Sequence, residues 1–176
     1  MDTVKISKLI ALVLRHKPET LGITLDSHGW ASTKDLVEKI NNQTKFSMKD
    51  LEEIVRDDDK QRYSFNSDKT KIRANQGHSI KVDVELERAT PPDILYHGTA
   101  TKYVGSIRAS GILKRNRNHV HLSEKYETAV MVGERHGTPS VIIVDAKKMH
   151  DDGFAFYRSA NGVWLTDYVP NKYIEV

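Results

Sequence analysis

The sequence predicts an α+β protein built in two parts. Three observations predict this. Apolar residues recur at helical spacing near the start, a charged stretch ending in Thr90, Pro91 and Pro92 reads as a stiff linker, and short strands with few helices follow it. The parts are expected at 1–86 and 91–176.

In the first part, Ile6, Leu9, Ile10, Val13 and Leu14 share a helix face, and Pro18 ends that helix. Residues 21–25 read as a short extended piece, and His28, Gly29 and Trp30 as a turn. Ser32 or Thr33 can cap a helix that buries Leu36, Val37 and Ile40. Ser47 opens another helix, with Leu51, Ile54 and Val55 inward. Residues 62–66 and 71–73 alternate like two strands joined by the turn at 67–69. Helices followed by a small hairpin have the outline of a winged helix, a frequent nucleic-acid-binding module.

In the second part, residues 94–96 form a short strand, directly followed by His97, Gly98 and Thr99. A helix from about Lys102 to Ala109 stops at Gly111, a C-cap. Residues 119–122 form a strand, 126–134 a helix and 140–145 a strongly apolar strand. Residues 154–157 and 163–165 are further strands. The acidic run Asp57, Asp58, Asp59 reads as a solvated turn.

Composition narrows the chemistry. The chain has 176 residues, 38% hydrophobic and 29% charged, with a formal net charge of +3. That excess is only a mild bias toward phosphate-bearing partners. Without cysteine there can be no disulfide, thiolate metal site or cysteine nucleophile. No apolar run approaches the roughly 20 residues that cross a bilayer, and no secretory leader pattern is present. A cytoplasmic protein with no membrane partner is expected.

Several familiar sites are absent from the sequence: the phosphate-binding P-loop, the dinucleotide glycine fingerprint after a strand and the hydrolase nucleophile elbow. His119 and His121 share a strand face, but no third ligand of matching geometry accompanies them, so no metal is expected. What remains is arginine and histidine in polar, glycine-bearing contexts. Arg15 and His16 end the first helix. Arg73 opens the donor-rich segment Arg-Ala-Asn-Gln-Gly-His-Ser79, whose composition suits an anion-reading loop. Arg135 and His136 precede the apolar strand. Guanidinium groups read phosphate oxygens bidentately and stay charged at any working pH. A strand-ending His97-Gly-Thr99 offers backbone donors and acceptors that can grip a flat amide such as nicotinamide.

Leu14-Arg-His16 with Pro18, Ile72-Arg-Ala-Asn-Gln-Gly-His-Ser79, Leu95-Tyr-His-Gly-Thr99, His119-Val-His-Leu-Ser123, Val132-Gly-Glu-Arg-His-Gly137 and Asn161-Gly-Val-Trp-Leu-Thr166 occur in this order. In that ordered set the chain resembles the NAD-dependent RNA 2′-phosphotransferases of the KptA type, known also from tRNA splicing, over essentially its whole length. The resemblance implies a winged-helix RNA-binding lobe and an ADP-ribosyltransferase-like lobe that holds NAD, with no metal. It implies a two-step reaction. An internal RNA 2′-phosphate attacks the NAD ribose carbon bearing nicotinamide. The 2″-hydroxyl then attacks phosphorus, giving 2′-hydroxyl RNA and ADP-ribose 1″,2″-cyclic phosphate.

The resemblance assigns the phosphate to Arg15, His16, Arg73 and Arg135, with His16 either a phosphate ligand or the general acid to the leaving oxygen. It assigns NAD to His97, Gly98 and Thr99, and to His121 with His119 as the alternative. Val163 stands where many ADP-ribosyltransferases carry a glutamate; an anionic nucleophile needs no such base. Thr101, Ser106, Gly111 and Ile112 are weaker candidates for adenosine and ribose, and Arg117 for a phosphate. The partners implied are a tRNA-like RNA with an internal 2′-phosphate and NAD, acting on a monomer. Two other readings stay open: an ADP-ribosyltransferase acting on nucleic-acid ends or protein, and an NAD-sensing, nucleic-acid-binding regulator without turnover.

Overall fold

A computed structural model describes residues 2–176. The chain is α+β and divides into two compact units after Glu85.

The first unit opens with α1 (Thr3–Arg15), capped by the Asp2 carboxylate on the Lys5 amide at 2.9 Å. Its Ile6, Ile10, Val13 and Leu14 form one buried stripe. After the 3-10 turn Pro18–Leu21, the chain runs without regular structure to β1 (Ala31–Ser32). The extended piece expected at 21–25 therefore pairs with no strand among the described residues, and Leu21 belongs to the turn. Helix α2 (Thr33–Asn41) is capped by Ser32, and α3 (Met48–Asp57) by a reciprocal box between Ser47 and Asp50. Strands β2 (Tyr63–Phe65) and β3 (Lys71–Ala74) form the expected hairpin, and β1 joins it on the other side of β3. Two residues carry too little alternation to announce β1; its pairing Ala31↔Ile72 is a long-range contact. Ile10, Leu14, Leu36, Leu51 and Ile72 lie at the centre of this unit's core.

Of the acidic run, Asp57 and Asp59 are exposed, as a solvated turn requires. Asp58 differs. Its carboxylate accepts from the Arg62 amide at 2.8 Å and pairs with the Arg62 guanidinium, so it ties the end of α3 to β2.

The second unit contains β4 (Ile94–Ala100), α4 (Val104–Ser110), β5 (Ile112–Leu113), β6 (Val120–Leu122), α5 (Tyr126–Glu134), β7 (Pro139–Asp145), α6 (Ala146–Asp151), β8 (Tyr157–Arg158), β9 (Trp164–Thr166), β10 (Tyr168–Val169) and β11 (Ile174–Glu175). Its sheets are antiparallel, in the orders β11-β7-β4, β6-β9-β8 and β10-β5. The linker is not fully free: the Ala89 amide donates to the Phe156 carbonyl at 2.9 Å. Strand β4 runs further than the sequence suggests. It pairs with β7 from Ile94↔Asp145 to Ala100↔Pro139, so His97, Gly98 and Thr99 lie within the strand and not in a turn after it.

Helix α5 packs directly on β4 through two glycines. A Cβ on Gly98 would sit 1.9 Å from the Ala129 carbonyl oxygen, and one on Gly133 would sit 2.6 Å from the Thr99 carbonyl oxygen. Neither position has room for a side chain, and this close approach holds the Arg135 end of α5 beside β4. Among the described residues no helix is long and apolar enough to cross a membrane, and no three His, Cys, Asp or Glu side chains group as metal ligands.

Candidate functional site

In the first unit, Arg15 is the last residue of α1 and His16 its C-cap, with the His16 amide bonded to the Leu12 carbonyl. Both sit where cations complement the helix dipole. Arg73 lies mid-strand on β3, opposite Ser64. The charges of Arg15, His16 and Arg73 all reach the imidazole of His78.

The donor-rich segment is arranged differently from an open anion-reading loop. Asn75, Gln76, Gly77 and His78 are buried, and only Ser79 is exposed. The Asn75 side chain donates to the Gln61 carbonyl at 2.7 Å and accepts from the Ser64 hydroxyl at 2.7 Å, stitching the hairpin. These amides therefore face the interior, because β3 carries the chain inward before it turns back at Gly77 with φ 87. Ser79 returns to α1: its amide donates to the Arg15 carbonyl at 3.0 Å, and its hydroxyl lies 2.8 Å from His16 Nδ1. That bond directs one ring nitrogen of His16 to Ser79 and sets the plane of the ring.

His78 is 2% exposed, and its Nε2 has no hydrogen-bond partner among the described residues. Burial first, then the neighbouring charges of Arg15, His16 and Arg73, push its pKa down to about 4. A neutral ring thus adds no charge to that of the Arg15 and Arg73 guanidinium groups. An unfolded-chain imidazole titrates near ~6.5, so protons favour the unfolded chain. The stability that His78 contributes is fully present above that pH and is lost as pH falls toward about 4. The full effect is about 3 kcal/mol, since each tenfold change in proton affinity is worth roughly 1.4 kcal/mol. Urea unfolding of the wild type should weaken across this window, and His78→Asn should flatten the dependence. Equal slopes for the two proteins would contradict a buried neutral ring.

Arg73 is held by residues that the sequence reading did not select. Its Nη1 donates to the His28 carbonyl at 3.3 Å and to Glu85 Oε1 at 3.2 Å. Its guanidinium carbon stands 4.2 Å from the centroid of the Trp30 ring. The turn at His28, Gly29 and Trp30 was legible in the sequence, but no local pattern announces the partner of Trp30.

In the second unit, His97 Nδ1 lies 3.0 Å from the His121 carbonyl oxygen, and burial lowers the His97 pKa. The ring is therefore neutral near pH 7 and anchored to β6. Tyr96 directs both its backbone groups at Ser123, bonding at 2.9 and 2.8 Å. Backbone polarity alternates along a strand, so Gly98, two residues on, turns its N–H and C=O to the same edge, away from β7. A donor and an acceptor side by side on a strand edge fit a planar carboxamide. This is the observation by which the chain's residues suit nicotinamide.

The other candidates divide. His121 is half-buried on β6, with Nδ1 3.5 Å from Arg117 Nη1. His119 instead packs its ring 5.7 Å from that of Tyr157, and burial lowers its pKa. Val163 is half-buried and its amide donates to the Ser159 hydroxyl at 3.0 Å. Thr99 is buried, Thr101 bonds the Thr138 carbonyl through its amide at 2.8 Å, and Ser106 is exposed on α4. Gly111 and Ile112 serve the fold. A Cβ on Gly111 would sit 2.3 Å from the Val169 carbonyl oxygen, and the Ile112 side chain is in the core. Any ligand contact from these two has to come from backbone. Arg135 is the exposed C-cap of α5. Glu124 was not selected from the sequence; its carboxylate accepts from the Trp164 indole at 2.6 Å and stands 3.7 Å from Arg158.

Comparison with known proteins matches this chain. The model of the family described as RNA 2′-phosphotransferase, Tpt1/KptA family, matches residues 1–168. A protein of Fusobacterium nucleatum named as a probable RNA 2′-phosphotransferase is 52% identical over 99% of this chain and 98% of its own length. Similarly named proteins of Trichormus variabilis and Acaryochloris marina are 51% and 48% identical, over 98% and 96% of this chain and 96% and 93% of their own lengths. With its motifs in family order and the match spanning nearly its full length, the chain belongs to the RNA 2′-phosphotransferase family, Tpt1/KptA.

Proposed function

We propose that this protein removes an internal 2′-phosphate from RNA by transferring it to NAD. The observation that carries the reading is that Ser79, at the end of the segment Arg73 opens, bonds both the Arg15 carbonyl and His16. The names of the relatives, which span almost the whole chain, support the same substrate.

The first unit acts as a winged-helix RNA-binding lobe; three helices followed by the β2–β3 hairpin support that reading. The second acts as an ADP-ribosyltransferase-like lobe. When bound, NAD supplies an electrophilic ribose carbon with nicotinamide as leaving group. The chain's own residues bind and orient. The Gly98 strand edge takes the carboxamide, and the neutral His97, fixed to β6, shapes the neighbouring wall. The arginines neutralise the phosphate dianion and the charge that develops on its oxygens in the second step. The family pattern gives Arg135 the same role. His16 either binds the phosphate or hands a proton to the departing 2′-oxygen; the contact of its Nδ1 with Ser79, which fixes the ring, supports that reading.

Purified protein incubated with NAD and a 2′-phosphorylated oligoribonucleotide should yield the 2′-hydroxyl RNA, nicotinamide and ADP-ribose 1″,2″-cyclic phosphate. Mass spectrometry of the RNA and of the small-molecule products reads this directly. Unchanged RNA in the presence of NAD would sink the proposal.

A further inference from the structure

A guanidinium that reads phosphate with two parallel bonds must present a fixed pair of N–H groups in one plane. A side chain with several rotatable bonds does not do so unaided. Arg73 is restrained on one face and at one corner. The Trp30 ring covers the face at 4.2 Å, and Nη1 alone carries the bonds to the His28 carbonyl and to Glu85. Neither Nε nor Nη2 has a hydrogen-bond partner among the described residues, and neither is fully buried, in a side chain that is 18% exposed. The constraint therefore falls on the edge that phosphate does not need, and the Nε–Nη2 edge stays available.

The frame behind Trp30 is itself rigid. Asp26 Oδ1 accepts from the His28 and Trp30 amides at 2.9 and 3.0 Å, and the Asp26 amide donates to the Trp30 carbonyl at 3.0 Å. Gly29 makes this turn possible at φ 84. From the other side, the Asp83 amide donates to the Ser27 carbonyl at 2.9 Å. The Asp83 carbonyl lies 2.8 Å from His28 Nδ1, and the Asp83 side chain accepts from the Glu85 amide at 2.9 Å. The turn thus holds both the ring and the carbonyl that meet Arg73, and brings Glu85 to the same corner.

We propose that Trp30 is a positioning residue for Arg73: its ring face and the Nη1 contacts of His28 and Glu85 hold the guanidinium so that the Nε–Nη2 edge reads an RNA 2′-phosphate monoester. This rests on the assignment of Arg73 to the phosphate under the function proposed above. A ring stacked on guanidinium contributes through its electron-rich face and not through shape alone. Three changes at one position therefore separate positioning from simple packing.

Trp30→Phe keeps a face, Trp30→Leu removes it, and a polyfluorinated tryptophan at position 30 keeps the shape while weakening the face. The expected result is a fall in kcat/KM for 2′-phosphorylated RNA of about ten- to a hundred-fold with leucine. A smaller fall is expected with the fluorinated ring and near wild-type values with phenylalanine, while KM for NAD stays unchanged. The Arg73 Nε–H resonance of 15N-labelled protein should be sharp in the wild type and in Trp30→Phe and broadened by exchange in Trp30→Leu. Should the leucine variant not fold, the fluorinated protein carries the comparison. Wild-type kinetics and an unchanged Arg73 resonance in the fluorinated protein would overturn the inference, as would equal losses for phenylalanine and leucine. A wild-type protein without NAD-dependent turnover would instead overturn the proposed function, and the Arg73 resonance would still decide whether Trp30 orders the guanidinium.

Discussion

Arg73→Ala is expected to lower kcat/KM for a 2′-phosphorylated oligoribonucleotide by about a hundred- to a thousand-fold, the usual loss when one preorganised donor to a charged oxygen is removed. Affinity for NAD should change little, because the residues assigned to it, His97, Gly98 and Thr99, belong to the other unit. Stability should also change little. The guanidinium is not part of the apolar core, and its partner Glu85 is half-exposed and can be solvated once released. Arg73→Lys should recover only a small part of the activity, since an ammonium keeps the charge and loses the planar fork. Stopped-assay kinetics with RNA and NAD varied separately, beside calorimetric titration of NAD, checks both halves. A variant that loses NAD binding while still binding phosphorylated RNA would show that Arg73 is misassigned.

Gly98→Ala should disrupt the second unit more than any change in the candidate phosphate residues. The new methyl would lie 1.9 Å from the Ala129 carbonyl oxygen and 2.8 Å from its carbon, both backbone atoms of α5. No rotamer relieves such an overlap, so α5 has to move off β4. Overpacking of this kind costs about 3 kcal/mol or more. Moving α5 also shifts Arg135 at its end and opens the Thr99–Gly133 contact. Urea unfolding followed by circular dichroism should show a strongly lowered midpoint, with NAD binding lost in parallel. An alanine variant with a wild-type midpoint would mean that helix and strand do not approach as closely as the structure shows. Gly98 therefore has one role that the structure shows, a missing side chain that admits the helix, and under the proposed function a second, a backbone edge for the carboxamide.

Much of the local architecture was legible. The stripe of α1, the Ser32 and Ser47 caps, the β2–β3 hairpin, the span of α5 and the Gly111 cap all follow from residues within a turn or two of one another. Strands β1, β5, β10 and β11 were not legible. Each has two residues and exists only because a distant partner completes it. The same holds for the extent of β4, whose later residues look turn-like in sequence but lie against β7. The candidate site was read in the same uneven way. Arg15, His16 and Arg73 were found as residue types. Ser79 as the partner of His16, and Trp30 and Glu85 as the partners of Arg73, were not.

What the sequence determined by itself is the residue inventory: helices where apolar side chains recur within four positions, arginines and histidines in polar settings, and the ordered motifs that mark the family. Those signals are short-range or additive along the chain. The tertiary structure decided which way the groups face. It buried Asn75, Gln76 and His78, leaving Ser79 at the surface beside His16. It placed His97 and Gly98 inside a strand and set a tryptophan ring against Arg73. Those outcomes depend on contacts such as His16 with Ser79 and Arg73 with His28, 63 and 45 residues apart. No local periodicity encodes such pairs; they form when the packed core of the first unit brings distant segments of the chain together.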